Sequence, residues 1–148
     1  MPQFDFVAFG AGFAGLTAAN RAAELGLRAV VLERETDERH INNSRVTNGV
    51  ANIAYNPIDL PVDDMVAVIE RASAGNADPV LARAFAASSQ RVIEWLRAED
   101  VVFDRLNGEN AIATGALRLA PHRRAVNGID WDGNCGDVVL QQLEKNLG

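Results

Sequence analysis

The chain opens with a pattern of apolar and polar positions that is typical of one strand–helix–strand unit. A nearly continuous apolar run, Phe4–Phe9, has the composition of a buried parallel strand. A glycine-rich turn follows, and the Ala- and Leu-rich segment from Leu16 to Leu25 favours a helix that ends at Gly26. Residues 28–32 form a second apolar run of the buried-strand type. Because crossover connections are right-handed, the pattern predicts two parallel strands joined by a helix.

Beyond this unit the pattern is less regular. Residues 36–61 are polar and rich in Asn, which predicts a long loop that can include short strand pieces. Helical spacing of apolar residues predicts one helix over 62–74 and a second that begins at the capping pair Asp78-Pro79. Extended segments are expected over 101–103 and 111–119, followed by a turn-rich loop over 128–136 and a last helix that begins at Asp137.

Each of these three helices has an apolar stripe, and we interpret the stripe of the second helix as core rather than as a cofactor surface. The stripes consist of Val62, Met65, Val66 and Ile69 on the first helix, Leu81, Phe85, Val92, Trp95 and Leu96 on the second, and Val139, Leu140, Leu143 and Leu147 on the last.

Composition excludes some classes of function. The 148 residues, 48% of them hydrophobic, suffice for one globular domain. A formal net charge of −6 argues against nucleic-acid binding, which needs clustered Lys and Arg. No apolar run reaches the roughly 20 residues of a membrane helix, and the N-terminus does not resemble a signal peptide, so a cytoplasmic location is expected. The single cysteine, Cys135, lacks a partner at metal-ligand spacing, and no metal site is expected.

The glycine-rich turn indicates the chemistry. It has the form Gly10-x-Gly12-x-x-Gly15 between a predicted strand and a predicted helix, and Glu33 ends the next strand. The first glycine allows a tight turn, the second leaves room for a pyrophosphate, and the third lets the helix pack closely on the strand. The helix N-terminus offers N–H groups to phosphates, and Glu33 would accept hydrogen bonds from a ribose. The context predicts a Rossmann-like α/β dinucleotide-binding fold, but it does not distinguish FAD from NAD(P).

A family resemblance favours FAD. Residues 5–35 resemble the opening of the two-dinucleotide-binding flavoproteins, in particular the fumarate reductase/succinate dehydrogenase flavoprotein superfamily, which includes ketosteroid dehydrogenases and tricarballylate dehydrogenase-like enzymes. That superfamily continues with a segment of the form Gly-Gly-Asn-Ser/Thr-x-x-Ala-x-Gly-Gly that contacts the pyrophosphate and flavin. In residues 41–50, Asn43, Ser44 and Gly49 match this form, whereas Asn42 and Val50 replace glycines. The Asn-Ser-Arg-x-Thr motif of residues 43–47 is most similar to the tricarballylate dehydrogenase-like branch. Residues 121–133 resemble the same branch more weakly.

The resemblance implies an FAD-dependent oxidoreductase that transfers hydride between flavin and a small molecule such as a carboxylic acid. It implies that residues 1–148 are the N-terminal part of an FAD-binding domain in a longer chain, with the βαβ unit and cofactor loop in 1–60 and helices and irregular strands in 61–148. The superfamily's catalytic Arg and His residues would lie largely beyond residue 148, so we name none. The residues expected to contact FAD are Gly10, Ala11, Gly12, Ala14, Gly15, Glu33 and Arg34 on the adenosine diphosphate side, and Asn43, Ser44, Thr47, Asn48 and Gly49 on the pyrophosphate and flavin side.

Alternatives remain open at this stage. The chain could be the NAD(P)-binding domain of a dehydrogenase, although the long Asn-rich loop is unusual there. It could also be a non-catalytic module that binds a nucleotide or a partner subunit. Two strands cannot form a complete parallel sheet, so we expect the rest of the parent protein or a second chain to complete it. Of the two histidines, His40 is a conceivable covalent tether for flavin, and His122 is interpreted as structural.

Overall fold

A computed structural model describes residues 2–37, 40–108, 113–122 and 131–148. Its elements, in chain order, are β1 (Phe6–Phe9), α1 (Phe13–Glu24), β2 (Ala29–Leu32), β3 (Val50–Ile53), β4 (Asn56–Pro57), α2 (Val62–Ala72), α3 (Pro79–Ala98), β5 (Phe103–Arg105), β6 (Leu117–Leu119) and α4 (Gly136–Leu147). Within these described ranges, no helix is both long enough and apolar enough to cross a membrane.

The contacts group the chain into two compact units. The first contains residues 1–48 and 121–148, and the second contains residues 49–120. This grouping differs from a division at residue 60, because α4 packs with the βαβ unit at the other end of the sequence.

The first unit is built on the predicted βαβ motif. β1 and β2 are parallel and in register from Phe6 opposite Ala29 to Phe9 opposite Leu32. α1 packs against both strands. The α/β class and the parallel pairing predicted from the sequence are confirmed.

Burial of the two strands is less complete than the sequence predicted. In β1 the strand begins at Phe6, and Ala8 is buried whereas Phe9 is 83% exposed. The reason is that α1 covers one face of a two-stranded sheet, and successive side chains of a strand point to opposite faces. This agrees with the expectation that two strands cannot form a complete parallel sheet.

Helix α4 completes the core of the first unit by packing on α1. Its predicted apolar face is confirmed, since Val139, Leu140 and Leu143 are buried. The buried Asn20 of α1 joins the two helices, because its Nδ2 atom donates to the carbonyl oxygens of Leu16 and Leu143 at 2.9 Å each. The amide therefore satisfies a buried polar group and fixes the two helices together.

The second unit combines a sheet with a helix pair. Strands β4, β3, β6 and β5 lie in that order and are all antiparallel. β3 and β4 fall inside the stretch predicted as a long loop. β5 has the predicted length but begins two residues later than predicted, and β6 is shorter than the extended segment predicted over 111–119. Ala111 and Ile112, at the start of the second predicted segment, lie outside the described residues, as do Gly128–Asp130 of the predicted turn-rich loop.

The helix pair α2–α3 confirms the helices but corrects one core face. Asp78 caps α3 by accepting the N–H groups of Val80 and Leu81 at 2.8 and 3.0 Å, as the Asp-Pro pair predicted. Met65 of α2 is fully buried. The stripe predicted for α3 is wrong, because Leu81, Phe85 and Val92 are 69%, 42% and 46% exposed. The buried residues of α3 are instead Ala82, Ala86, Ser89 and Ile93.

Candidate cofactor site

The glycine turn between β1 and α1 has the geometry that its three glycines predict. Gly10 has a φ of +94°, which is the left-handed region that favours glycine, and its N–H donates to the Leu32 carbonyl at 2.8 Å. A Cβ atom at Gly15 would lie 2.0 Å from the Gly10 carbonyl oxygen. Helix α1 can therefore approach the turn only because residue 15 lacks a side chain.

The N-terminus of α1 meets the Asn-rich loop at Ser44. Gly12 is the N-cap residue and provides no side-chain cap. The Phe13 N–H instead donates to Ser44 Oγ at 3.2 Å, across 31 residues of sequence. A Cβ at Gly12 would lie 3.1 Å from the same Oγ atom, so the space above this glycine is shared with a hydroxyl group. This cradle, formed by the turn, the first residues of α1 and the Ser44 hydroxyl, brings N–H groups and a hydroxyl together at a helix N-terminus, a type of site that favours anions.

Glu33 lies at the end of β2 and reaches back to the turn. Its Oε2 accepts the Ala11 N–H at 2.8 Å, and its Oε1 accepts the N–H groups of Arg34 and Glu35 at 2.8 and 3.2 Å. The Ala11 hydrogen bond is the largest cause that holds the pKa of Glu33 below its ordinary value, followed by the Glu35 hydrogen bond. The group is thus an ionised carboxylate that braces the turn, and its oxygens retain acceptor capacity for a ligand.

The remaining predicted residues lie farther from this cradle or point elsewhere. The Arg34 side chain is 90% exposed and pairs with Glu35 at 3.0 Å. Asn43 and Asn48 are exposed on the loop, Ala14 is exposed on the first turn of α1, and Thr47 is half-buried. Gly49 has a φ of +66° and belongs to the second unit, where it packs on Leu119. Of the predicted set, the structure joins Gly10, Ala11, Gly12, Gly15, Glu33 and Ser44 by direct contacts.

Two buried loop residues near the turn were not among those expected to contact FAD: His40 was considered only as a flavin tether, and Arg45 was missed. The His40 side chain is 7% exposed, and its Nε2 atom lies 3.3 Å from the Ala11 carbonyl oxygen. This contact turns the ring toward the glycine turn. Arg45 is 1% exposed and pairs with Asp137 and Glu144 of α4. The sequence held one signal for it, because two acidic residues seven positions apart lie on one face of a helix.

An open cleft of about 520 Å³ adjoins Glu33. Its wall includes Ala11 and Val31 from the βαβ motif, His40 from the loop and Glu144 from α4. The volume falls within the range of small-molecule and cofactor sites, roughly 300–1,000 Å³. The first unit therefore contains a cleft that begins at the glycine turn and passes the acidic residue at the end of β2.

The comparison with protein families indicates which cofactor the chain binds. A family model described as "FAD binding domain" matches residues 5–136. The chain belongs to this FAD-binding family. FAD is thus the cofactor that the family assignment indicates, and the predicted cofactor is confirmed at that level.

A solved structure shows the same fold. The chain is similar to a 3-ketosteroid-Δ4-(5α)-dehydrogenase from Rhodococcus jostii RHA1, solved in complex with 4-androstene-3,17-dione. The TM-score is 0.69 at 20% sequence identity, over 97% of this FAD-binding chain and 35% of the dehydrogenase chain. The FAD-binding chain therefore spans about a third of its structural neighbour. Among curated protein sequences, none matches this chain significantly.

Proposed function

We propose that the chain is the FAD-binding portion of a flavin-dependent oxidoreductase that acts on a small molecule. The observation that carries the proposal is the cradle at the N-terminus of α1, in which Gly12, Ser44 and the Glu33-braced turn converge in a chain of the FAD-binding family. When bound, FAD would supply hydride transfer to or from a substrate carbon. The solved neighbour, a dehydrogenase, supports redox chemistry as the activity of the parent protein.

The chain's own residues would bind and orient the cofactor. The free N–H groups at the start of α1 and the partial positive charge of that helix would hold the pyrophosphate. The Ser44 hydroxyl, now an acceptor of the Phe13 N–H, can also donate to a phosphate oxygen. Glu33 would accept hydrogen bonds from the adenosine ribose, and Asn43, Thr47, Asn48 and Gly49 would lie toward the flavin.

For the substrate we propose a carboxylic acid, as in the tricarballylate dehydrogenase-like branch. The Asn-Ser-Arg-x-Thr motif of residues 43–47 supports this substrate class. A second candidate, a ketosteroid, is favoured by the solved neighbour, whose structure holds a steroid. An NAD(P) domain and a non-catalytic module are weaker alternatives, because the family assignment names FAD and the neighbour is an enzyme.

The first test is the visible absorption spectrum of the purified full-length protein, before and after addition of FAD and removal of the excess. We expect retained flavin bands, and we expect Gly12→Val to lose them because bulk at residue 12 would fill the phosphate position and displace Ser44. Undiminished flavin uptake by Gly12→Val would contradict the cradle assignment.

The second test distinguishes the substrates. Tricarballylate or 4-androstene-3,17-dione is mixed without oxygen with the flavin-loaded protein, in the oxidised form and separately in the dithionite-reduced form. Bleaching of oxidised flavin, or reappearance of its bands from the reduced form, identifies the compound that exchanges hydride. Turnover of the steroid but not of the tricarboxylate would contradict the carboxylic acid proposal.

A further inference from the structure

Arg45 is a buried cation in the middle of the loop that reaches the glycine turn. Among the residues that the structure describes, it is the largest side chain that is fully buried. Its Nε donates to the His40 carbonyl at 3.0 Å, one terminal nitrogen donates to Asp137 Oδ1 at 2.5 Å, and the other donates to Glu144 Oε1 at 2.7 Å. A charge is tolerated in the interior only when it is paired and hydrogen-bonded, and this guanidinium meets both conditions.

The two carboxylates are fixed on α4. Asp137 is fully buried, and its second oxygen accepts the Gly133 N–H at 2.6 Å and the Gln141 side-chain amide at 2.9 Å. Glu144 lies two helical turns farther along. Gly136 lets the backbones meet, since a Cβ there would lie 1.9 Å from the Ser44 carbonyl oxygen. Arg45 therefore binds the loop to a helix surface that is itself held in place.

The loop segment of residues 40–45, which Arg45 binds to α4, also contacts the glycine turn. His40 Nε2 lies 3.3 Å from the Ala11 carbonyl oxygen, and Ser44 Oγ accepts the Phe13 N–H. His40 is also the residue whose carbonyl Arg45 holds, and Ser44 directly precedes Arg45 in the chain. Glu144 Oε1, the acceptor for Arg45, lies 3.9 Å from His40 Nε2. One guanidinium thus connects α4 to both loop groups that contact the turn.

We propose that Arg45 is a positioning residue for the FAD site. Its guanidinium holds residues 40–45 on α4, so that the His40 imidazole and the Ser44 hydroxyl are in place at the glycine turn before the cofactor binds. The inference rests on the proposed function, and it adds α4 to the elements that determine cofactor affinity. The planar guanidinium reaches three acceptors in different directions, which the single ammonium of lysine cannot reproduce.

The test uses the full-length protein and four variants. Arg45→Met and Arg45→Lys remove the fork, Glu144→Gln removes one partner charge, and Arg83→Lys is the matched control, because Arg83 forms an exposed pair with Asp63. FAD affinity is measured by flavin fluorescence titration. Hydrogen exchange of residues 40–48 in the unliganded protein is measured by mass spectrometry, together with exchange of α2 and α3.

We expect Arg45→Met to bind FAD at least tenfold more weakly, Arg45→Lys to lie between it and the parent, and Arg83→Lys to match the parent. Exchange should accelerate in residues 40–48 of the Arg45 variants and stay unchanged in α2 and α3, because the loop alone loses its anchor. A merely structural role would accelerate exchange throughout the first unit, α1 included, and that result would overturn the proposal.

The outcomes separate the two proposals. If the parent protein takes up no FAD, the proposed function fails. If the parent binds FAD and Arg45→Lys equals it in both affinity and loop exchange, the positioning role of Arg45 is wrong and the proposed function stands. If Arg45→Met does not fold, Arg45→Lys and Glu144→Gln decide by the same two measurements, with weaker binding and faster loop exchange expected in each.

Discussion

At the residue scale, Glu33 makes two kinds of interaction, and each affects the binding of a different set of ligands. Its carboxylate braces the turn through the Ala11 N–H, and in the proposed complex it also accepts a hydrogen bond from the adenosine ribose. Loss of the hydrogen bond to Ala11 weakens the binding of every ligand at the turn. Loss of the ribose contact weakens the binding only of a ligand that carries the hydroxyl group.

We therefore expect Glu33→Ala to weaken ADP binding by about 1.5–3 kcal/mol, the scale of a hydrogen bond to a charged group. The penalty should be smaller for 2′-deoxy-ADP, because that ligand lacks the hydroxyl that Glu33 would hold. Calorimetric titration of both nucleotides into parent and variant measures the difference. Equal penalties for the two nucleotides would show that Glu33 acts as a brace alone.

Asp5 and Arg28 give the first unit a dependence on acid. Arg28 donates its backbone N–H and two N–H groups of its guanidinium to the Asp5 carboxylate at 2.9–3.0 Å, which joins the starts of β1 and β2. The Arg28 side-chain hydrogen bond is the main cause that lowers the pKa of Asp5 from 3.8 to about 2. Because the folded-state pKa is lowered, the pair stabilises the fold above pH 3.8, and this contribution is lost as the pH falls toward 2.

Asp5→Asn should therefore flatten the pH dependence of stability in this window. Its melting temperature should fall below that of the parent near neutral pH, and the difference should shrink as the pH is lowered from about 4 to about 2. Thermal unfolding monitored by circular dichroism checks the trend, and NMR titration of the Asp5 carboxyl carbon checks the midpoint. An Asp5 midpoint near 3.8 would contradict the lowered pKa.

At the scale of elements, the turn and α1 depend on two glycines for different reasons. Gly15 has a backbone atom in the way of any side chain, since a Cβ would lie 2.0 Å from the Gly10 carbonyl oxygen. A Cβ atom at Gly12 would meet only the Ser44 side chain within 4 Å among the described residues. The Ser44 side chain can move away, which a backbone carbonyl cannot. Substitution at residue 15 must therefore shift the helix, whereas substitution at residue 12 displaces a group of the proposed site.

We expect Gly15→Ala to destabilise the protein by about 1–3 kcal/mol or more, as overpacking does. Gly12→Ala should change stability less and still weaken FAD binding, because its methyl group displaces Ser44. Urea denaturation and flavin titration of the two variants separate these effects. A Gly15→Ala variant as stable as the parent would contradict the close approach of α1 to the turn.

The sequence predicted those elements whose apolar pattern repeats over a long run of adjacent residues. The βαβ unit, the start of α3 and the inner face of α4 each follow from a few adjacent turns of chain, and Glu33 follows from the spacing of the glycine motif. β3–β6 have two to four residues each, which is too short for a reliable alternation. The inner face of α3 was mispredicted because three of its four buried residues, Ala82, Ala86 and Ser89, are too small to stand out in a hydrophobic pattern.

At the scale of the whole molecule, the sequence could not show which distant segments associate. The Arg45–Asp137 pair joins residues 92 positions apart, and Asn20 contacts Leu143 across 123 positions. Such pairs follow from how α4 returns to the βαβ unit, and no local spacing determines that return. The network around Arg45 was therefore out of reach, although its acidic partners are visible on one helical face.

The grouping of the chain predicts where cofactor binding is felt. Gly10–Gly15, Glu33 and Ser44 all belong to the unit formed by residues 1–48 and 121–148. A ligand that binds only the folded form stabilises it by RT ln(1 + [L]/Kd), about 2.7 kcal/mol at a hundredfold excess over Kd. At that excess of FAD, the slowest amides of α1 and α4 should exchange up to roughly 100-fold more slowly if they exchange by opening of this unit. Hydrogen exchange with and without FAD measures this, with α2 and α3 as the internal reference. Protection confined to residues 49–120 would contradict a site built on the glycine turn.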